Sequence, residues 1–370
     1  MHIVQLANFH GPRSGGIKVV LDELARRYCD AGHRCSLIVP AESNGVDGPA
    51  HRRVHRIAAP LMPGLGGYRV IVNRAAVRDV LANDPPDIIE LSDKTTLLSA
   101  SQDARGTTAP VVLISHERLD AVITRVVSGH RAVRRMVHRY NRHVANRVDA
   151  IVAASRFAAE EFDDHPYVPL YRVPLGVDLD CFTPSPRSSQ SDRAHMVAVV
   201  RLSPEKNPQL LVDTVRVLVE RGKRVHLDVI GDGPLRDDLE QGAVGLPLTF
   251  HGHIADRKRV AQYLGSADVV VAPGPHETFG LAGLEALSCG TPVVVPDEGA
   301  LRELVIDGVG RVAASHAESF ATAIADVVRW DRHVTRRRCR EHAERYNWAS
   351  TAGAMLDVFD SVRRERTAVA

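Results

Sequence analysis

Short apolar runs alternate with amphipathic helical segments along the whole chain. In the first half the apolar runs predict strands at His2–Leu6, Cys35–Val39, Val54–Ile57, Asp87–Leu91, Val111–Ser115 and Ala150–Ala153. Helical spacing of apolar residues predicts helices over Gly16–Ala31 and Tyr68–Ala82. This alternation is typical of parallel sheets that carry helices on both faces.

The second half repeats the same alternation. Strands are predicted at Met196–Val200, Val225–Ile230, Leu248–His251, Val269–Ala272 and Val293–Pro296. Helices are predicted near Pro208–Arg221, Pro234–Gly242, Asp256–Ser266, Leu281–Cys289 and Ser315–Arg332, and a last one from Trp348 to Arg364.

A linker separates the halves. The segment Val173–His195 becomes rich in Pro, Ser and Asp after an apolar start, as linkers often do. We therefore expect an N-terminal domain over 1–174, a second domain over 175–348, and a helix over 349–370 that could pack on either, with the N-terminal domain favoured. Two doubly wound domains facing each other would leave a central cleft, where ligands usually bind.

Composition narrows the function classes. The chain has 370 residues, 44% of them hydrophobic and 25% charged, with a net charge of +2, so a nucleic-acid partner is not expected. The five cysteines contain no CxxC pair and suit a reducing compartment. No apolar run approaches bilayer length, and the first residues enter a strand at once. We expect a cytoplasmic protein, with any membrane contact peripheral and at the inner face of the plasma membrane.

Two glutamates eight positions apart, Glu277 and Glu285, lie in HETFGLAGLEALSCGTPVV. On one helix they would project about 80° apart, on the same half of its surface. A helix start can hold a phosphate or sugar hydroxyls, and a carboxylate further along can accept hydrogen bonds from a diol such as ribose. The alternative is a surface helix with two ordinary glutamates.

Two cations follow the first strand of the second half. Arg201 and Lys206 lie in RLSPEKNP, where Arg can grip a pyrophosphate bidentately and Lys can act as a point charge. Gly231 begins GDGP after the next strand and permits close backbone approach. The alternative for Arg201 and Lys206 is a solvated charged loop, and the alternative for Gly231 is a plain strand-to-helix turn.

Other polar positions follow strands in the first half. The glycines Gly15 and Gly16 close a loop between the first strand and a helix, suited to phosphate or to a mere turn. His116 directly follows the run VVLIS and could touch a substrate hydroxyl, although a lone His is more often structural. Asp178-Leu-Asp180 looks like a metal-binding DxD motif but lies in the linker, so no bound metal is expected.

A basic segment runs from Arg131 to Arg147 as RAVRRMVHRYNRHVANR. Its apolar residues recur at helical spacing, so it predicts a helix with a cationic face. Such a helix can rest on an anionic membrane or a phosphate-bearing acceptor. The alternative is an ordinary solvated face.

Taken together, these motifs resemble glycosyltransferase family 4, retaining enzymes of the GT-B fold with two Rossmann-like domains. The marks are the E-x7-E pair Glu277 and Glu285, RLSPEKN, GDGP, and PLGVD ending at Asp178. The first half, with NFHGPRSGG and ISHERLD, looks like the actinobacterial GDP-mannose-dependent mannosyltransferases that act on phosphatidylinositol mannosides.

The resemblance implies a role for each matching residue. Arg201 and Lys206 would hold the donor diphosphate, Glu277 would face the sugar, and His116 would lie beside it; these four are the expected catalytic residues. The expected donor-binding residues are Gly15, Gly16, Gly231, His253, Asp256, Phe279, Gly280, Leu281, Ala282 and Glu285. Among these, Glu285 would bind the ribose, and the backbone near Gly231 and the loop His253–Asp256 would meet the base.

The expected function is retaining, metal-independent and cofactor-free transfer of a hexose, mannose from GDP-mannose, to a lipid-linked or glycan acceptor. Positioned cations stabilise the departing diphosphate most in the transition state, which accelerates the step. A UDP-sugar transferase acting on a small molecule is the alternative within this class. A nucleotide-cofactor oxidoreductase and a non-catalytic sugar-nucleotide-binding protein are the alternatives outside it.

Overall fold

The chain forms two compact units in a computed structural model. It describes residues 1–11, 14–62, 68–102, 109–119, 130–165, 167–185 and 192–369, without the side chains of residues 102, 130–134 and 369. Unit 1 comprises Met1–Leu175 and Trp348–Ala370, and unit 2 comprises Gly176–Asn347.

Unit 1 alternates strands with helices from its first residues. In chain order its elements are β1 (His2–Leu6), α1 (Gly16–Asp30), β2 (Arg34–Ala41), β3 (Gly45–Asp47), β4 (Arg52–Ala58), α2 (Arg74–Asn83), β5 (Ile88–Leu91), α3 (Thr96–Gln102), β6 (Val111–Ser115), α4 (His130–Ala145), β7 (Ala150–Ala153), α5 (Arg156–Ala159) and β8 (Leu170–Arg172).

The sheet of unit 1 has the strand order β3-β4-β2-β1-β5-β6-β7-β8. Neighbouring strands run parallel except β3, which pairs with β4 in antiparallel fashion. All residues of β1, β5, β6 and β7 are buried, because helices cover both faces of such a sheet and each face needs apolar residues. The order reverses between β1 and β5, so the carboxyl ends of these strands form a switch point, where ligands of such sheets bind.

Unit 2 is built in the same way. Its elements are β9 (Ala194–Val199), α6 (Gln209–Glu220), β10 (Val225–Ile230), α7 (Arg236–Gly242), β11 (Leu248–Gly252), α8 (Arg257–Ser266), β12 (Val269–Val271), α9 (Leu281–Ser288), β13 (Val293–Pro296), β14 (Gly310–Ala313), α10 (Ala317–Val327) and α11 (Arg332–Ala343). The parallel sheet has the order β11-β10-β9-β12-β13-β14, with its switch point between β9 and β12.

The last helix, α12 (Trp348–Val369), belongs to unit 1. The Tyr28 ring of α1 meets the Phe359 ring edge to face, with centroids 5.7 Å apart. The Thr351 hydroxyl donates to the carbonyl of Pro174 at 2.9 Å, which ties the start of α12 to the end of the first segment of unit 1. None of the helices in the described ranges is both long and apolar enough to cross a bilayer.

Most predicted strands and helices are present, and the differences have local causes. The helix predicted from Tyr68 begins only at Arg74, because the Asn73 side chain accepts a hydrogen bond from the backbone N–H of Ala76 and starts the helix there. The helix predicted over Ser315–Arg332 corresponds to α10, which ends at Val327, and α11, which begins at Arg332, was not predicted. Asp331 marks the start of α11, since its carboxylate caps this helix by accepting from the N–H of Val334 at 2.9 Å.

Three short strands, β3, β8 and β14, were not predicted, since none of them is buried along its whole length and a short strand without a continuous apolar run carries little pattern. Strand β2 also extends to Ala41, beyond the predicted end at Val39. Glu42 therefore follows the strand directly, where a dinucleotide-binding domain would place its ribose-binding acid. Its side chain is 85% exposed and pairs with Arg69 at 2.7 Å.

Candidate active site

Two segments that the sequence singled out converge at the switch point of unit 2. Lys206 ends a 3₁₀ turn, Pro204–Lys206, that follows β9, and Glu277 follows β12. The Lys206 ammonium donates to Glu277 Oε1 at 2.8 Å. The side chains are 28% and 29% exposed, so both charges remain accessible to a ligand. The ion pair therefore bridges the two strands between which the sheet order reverses.

Backbone geometry fixes both members of this pair. Asn207 adopts a left-handed conformation with φ of 48°, which ends the 3₁₀ turn just after Lys206. The carbonyl of Glu277 accepts a hydrogen bond from the N–H of Ala300 at 2.9 Å, in the segment after β13. The positions of Lys206 and Glu277 thus follow from the strands that precede them.

Glu277 and Glu285 do not share one helix, so the projection of about 80° does not describe them, whereas the predicted helix Leu281–Cys289 agrees with α9. Helix α9 starts at Leu281, and its N-cap residue Gly280 has φ of 91°. A side chain at Gly280 would place its Cβ 2.2 Å from Leu301 Cδ2, so only glycine fits this turn. Glu277 precedes the turn and Glu285 follows it, and their spacing therefore reflects a loop and a helix together.

Glu285 lies on α9 beside a second cation. Arg257, the first residue of α8, lies 3.5 Å from a Glu285 carboxylate oxygen and 3.8 Å from Asp178. The guanidinium also lies over the Phe182 ring, 5.1 Å from its centroid. Burial raises the pKa of Glu285 to about 7, against the lowering effect of Arg257. A carboxylate in this setting can accept two hydroxyl hydrogen bonds, as a ribose diol requires.

Arg201 and Gly231 lie at the carboxyl ends of neighbouring strands. Arg201 lies two residues after the end of β9 and is exposed, so a ligand can reach it. Gly231 has φ of 142° and a Cβ there would lie 1.9 Å from the carbonyl oxygen of Val200. Gly231 is therefore required by the packing of β10 against β9, whatever its contact with a ligand.

The remaining predicted donor-binding residues of unit 2 differ in accessibility. His253 and Asp256 are exposed, and Asp256 caps α8 by accepting from the N–H of Lys258 at 2.9 Å. Phe279 is 5% exposed, so only its backbone suits a ligand. Leu281 and Ala282 are partly exposed in the first turn of α9, where backbone N–H groups lack helical partners.

In unit 1, Gly15 is the N-cap residue of α1 and Gly16 is its first residue. A Cβ added to Gly15 would meet nothing within 4 Å, so the packing of unit 1 does not require glycine there. Open space beside a helix N-terminus after β1 is what an approaching phosphate needs.

His116 directly follows β6. Burial, together with the nearby charge of Lys94, lowers its pKa to about 4. The imidazole is therefore neutral near pH 7, and one ring nitrogen can donate a hydrogen bond while the other accepts one.

Helix α4 carries most of the predicted basic segment. Arg135, Arg139 and Arg142 are exposed at spacings of four and three residues, and Met136 between them is 56% exposed. Val137 and Val144 are buried, so α4 has an apolar face toward unit 1 and a cationic face outward. The side chains of Arg131 and Arg134 lie outside the described residues.

Asp178 has structural partners. One carboxylate oxygen accepts from the N–H groups of Asp180 and Cys181, at 3.2 and 3.0 Å, and the carboxylate also lies near Arg257. Across the described ranges, no three His, Cys, Asp or Glu side chains are arranged to hold a metal ion.

Sequence reasoning did not identify Arg257, nor Lys94 and Glu161 beside the His116 loop. Lys94 follows β5 and Glu161 lies in a 3₁₀ turn that follows α5. Their position after the carboxyl ends of strands was the available signal, but each is one charged residue among many at such positions.

Sequence comparison agrees with these motifs. The family model described as Glycosyltransferase Family 4 matches residues 14–181, and the one described as Glycosyl transferases group 1 matches residues 184–346. A relative from Mycobacterium tuberculosis, named GDP-mannose-dependent alpha-(1-6)-phosphatidylinositol dimannoside mannosyltransferase, is 42% identical over 96% of this chain and 95% of its own length. A GDP-mannose-dependent alpha-mannosyltransferase of Mycolicibacterium smegmatis is 31% identical over 81% of this chain and 79% of its own.

Comparison with solved structures identifies the fold. A sucrose-phosphate synthase from Thermosynechococcus elongatus superposes with a TM-score of 0.80 at 19% identity and covers 100% of both chains. The two Rossmann-like units with parallel sheets are thus those of the GT-B fold. The chain belongs to glycosyltransferase family 4, and it is a glycosyltransferase.

Proposed function

We propose that this protein transfers mannose from GDP-mannose to a lipid-linked acceptor of the phosphatidylinositol-mannoside type, with retention at the anomeric carbon and without a metal ion. The observation that carries the proposal is the ion pair of Lys206 and Glu277 at the switch point of unit 2. The donor and acceptor classes are suggested by the name of the relative that is 42% identical over 96% of the chain.

The chemistry follows from charge. Breaking the bond between the anomeric carbon and the phosphate oxygen leaves a nucleoside diphosphate with growing negative charge. Lys206, held by Glu277 at 2.8 Å, and Arg201 supply positive charge that is fixed before the bond breaks. In the proposed reaction the acceptor attacks the face that the diphosphate leaves, and a phosphate oxygen takes the acceptor proton.

Glu285 is the proposed ribose-binding residue. Its carboxylate lies on α9 beside Arg257, and its raised pKa makes donor binding dependent on pH. His116 is proposed to lie beside the transferred sugar, where its neutral imidazole suits a hydroxyl group better than a cation would.

The identities of the donor and the acceptor can be tested in one activity assay that combines several donors with several acceptors. Purified protein receives GDP-mannose, GDP-glucose, UDP-glucose or ADP-glucose, each with a phosphatidylinositol-mannoside, a soluble mannoside or inositol. We expect transfer from GDP-mannose to the lipid acceptor, with the α-anomer as the product by NMR and an unchanged rate in excess EDTA. Transfer from UDP-glucose to a small acceptor would establish the alternative function. A rate abolished by EDTA and restored by Mg²⁺ would contradict the metal-independent mechanism.

The cationic face of α4 is the proposed contact with an anionic membrane. Arg135, Arg139 and Arg142 are exposed on one side of this helix beside the exposed Met136, and each basic residue near an anionic surface contributes about 1 kcal/mol. The protein should float with phosphatidylglycerol vesicles at low salt and be released at high salt.

A matched set of variants tests this contact. Replacing Arg135, Arg139 and Arg142 by Gln should abolish flotation. Replacing three exposed arginines of unit 2 by Gln makes the same change in net charge and should preserve it; the chosen residues are Arg259, Arg329 and Arg337. Equal flotation of both variants, or binding to neutral phosphatidylcholine vesicles, would refute the contact.

A further inference from the structure

A buried ion pair lies beside the loop that carries His116. Lys94 donates to Glu161 Oε2, and the two side chains are 7% and 1% exposed. The Lys94 ammonium also lies over the ring of Phe162, 5.0 Å from the centroid. The pair is therefore part of the interior of unit 1.

Both members of the pair hold the backbone of the loop after β6. The Lys94 ammonium donates to the carbonyl of Glu117 at 2.7 Å. Glu161 Oε1 accepts from the N–H of Leu119 at 2.8 Å, and Glu161 Oε2 lies within 3.5 Å of the Ser115 hydroxyl. His116 thus stands between residues that the pair fixes on both sides.

A second set of contacts fastens the same loop. Arg118 donates to the carbonyl of Phe157 at 2.8 Å and to Glu160 at 3.2 Å, and its guanidinium lies 4.3 Å from the centroid of the Phe157 ring. The segment that follows β7 therefore holds the loop that follows β6 through the buried carboxylate of Glu161 and the exposed carboxylate of Glu160.

Stability alone does not account for the buried pair. Removing two charges from water is costly, and well-packed apolar residues of similar volume often stabilise a protein as well or better. Apolar residues could not make the hydrogen bonds to Glu117 and Leu119, however. Those bonds are what the pair provides and what a hydrophobic replacement would lose.

We propose that Lys94 and Glu161 are positioning residues that set the location of His116 for sugar transfer. The inference rests on the proposed function, because it takes His116 to lie beside the transferred sugar. The charge of Lys94 also helps to keep the imidazole of His116 neutral, as its lowered pKa indicates.

Two variants separate positioning from stability. Glu161→Asp keeps the charge of the pair but shortens the side chain by one methylene, so the bond to Leu119 is lost. The double variant Lys94→Met/Glu161→Leu removes the bonds without leaving a lone buried charge. We expect both to lower kcat by about 10- to 100-fold, as small misplacements of reacting groups do. The donor KM should be unchanged, because neither Lys94 nor Glu161 is among the proposed donor-binding residues.

Glu90→Asp is the matched control. Glu90 is 0% exposed in the same unit and is bonded to Gln5 and Tyr28. Its shortening should lower Tm while leaving kcat unchanged. A folded Glu161→Asp variant with the kcat of the wild type would overturn the positioning role, as would a Glu90→Asp variant that loses as much kcat as Glu161→Asp.

His116→Ala distinguishes the two levels of the argument. If the wild-type protein transfers sugar and His116→Ala does not, an active Glu161→Asp variant overturns only the positioning role. If His116→Ala keeps full activity, the role of His116 and the positioning role both fail. A wild-type protein that transfers no sugar from any donor to any acceptor refutes the proposed function itself.

Discussion

The carboxyl group of Glu90 lies in the interior of unit 1 and is 0% exposed. Its Oε1 accepts a hydrogen bond from Gln5 Nε2 at 2.8 Å, and its Oε2 accepts one from the Tyr28 hydroxyl at 2.9 Å. Burial raises the pKa of Glu90 from 4.5 to about 7 in spite of these two bonds. The folded protein therefore keeps a proton on Glu90 at pH values where the unfolded chain has released it.

The sign of the effect on stability follows from this difference. Between pH 4.5 and about 7 the folded state binds more protons than the unfolded state, so the free energy of unfolding falls as the pH rises through this range. The difference between 4.5 and about 7, at about 1.4 kcal/mol for each pH unit, corresponds to about 3 kcal/mol. The whole amount is lost only above the folded pKa.

Glu90→Gln should recover this free energy, because an amide carries no charge at any pH. The Oε1 of Gln5 has no hydrogen-bond partner among the residues that the structure describes. If the Gln5 amide rotates by half a turn, this oxygen can accept from the new amide at position 90, which can still accept from Tyr28. We expect Glu90→Gln to raise the free energy of unfolding at pH 8 by about 3 kcal/mol and to change it little at pH 4.

The two tryptophans of the chain make the measurement specific to unit 1. Trp348 belongs to unit 1 and is 2% exposed, and Trp330 belongs to unit 2. In a Trp330→Phe background, the fluorescence of Trp348 during urea unfolding reports on unit 1. Glu42→Gln, at a side chain that is 85% exposed, is the control and should have no effect at either pH. A destabilised Glu90→Gln variant at pH 8, or an equal effect at pH 4, would refute the argument.

Three predictions concern the active site. Lys206→Gln should lower kcat by roughly 10²–10³-fold with little change in Tm. The control Lys223→Gln, at an exposed lysine of the same unit, should leave kcat unchanged. If Lys206→Gln has the same kcat as Lys223→Gln, Lys206 has no part in the mechanism. The kcat/KM for the donor should rise as the pH increases through about 7. Arg257→Met should move this rise to higher pH, because Arg257 lowers the pKa of Glu285. If the midpoint of the rise is the same in Arg257→Met as in the wild type, Glu285 is not the group that titrates. Gly15→Ala should keep Tm, since nothing lies within 4 Å of the added Cβ, and should raise the donor KM; an unchanged KM would exclude Gly15 from donor binding.

Sequence pattern predicted the sheets better than the boundaries of the helices. Strands such as β7 and β12 are buried along their whole length, so they stand out as continuous apolar runs. The start of α11, a helix that was not predicted, is marked by one hydrogen bond from Val334 to Asp331, and an aspartate beside a helical pattern does not by itself indicate a cap. Hydrophobic periodicity reports burial, whereas helix ends depend on single polar contacts.

The same distinction holds for the candidate site. Arg201, Lys206 and Glu277 were proposed from the sequence because each follows a predicted strand, and parallel strands bring such positions to one edge. Arg257 was not found, because its partners Asp178 and Glu285 are far from it in the sequence. Long-range ion pairs leave no periodic trace, so only the folded structure identifies them.

Glu90 and Glu285 both have pKa values of about 7, but they lie in different units and have opposite consequences. Raising the pH through 7 weakens unit 1 through Glu90 and is proposed to strengthen donor binding through Glu285. In the wild-type protein, a pH profile of activity measured close to the Tm of unit 1 therefore combines a rise from donor binding with a fall from the loss of folded protein. The profile of Glu90→Gln should keep the rise and lose the fall. If the rise disappears in Glu90→Gln, it belongs to unit 1, and Glu285 is not the group that controls donor binding.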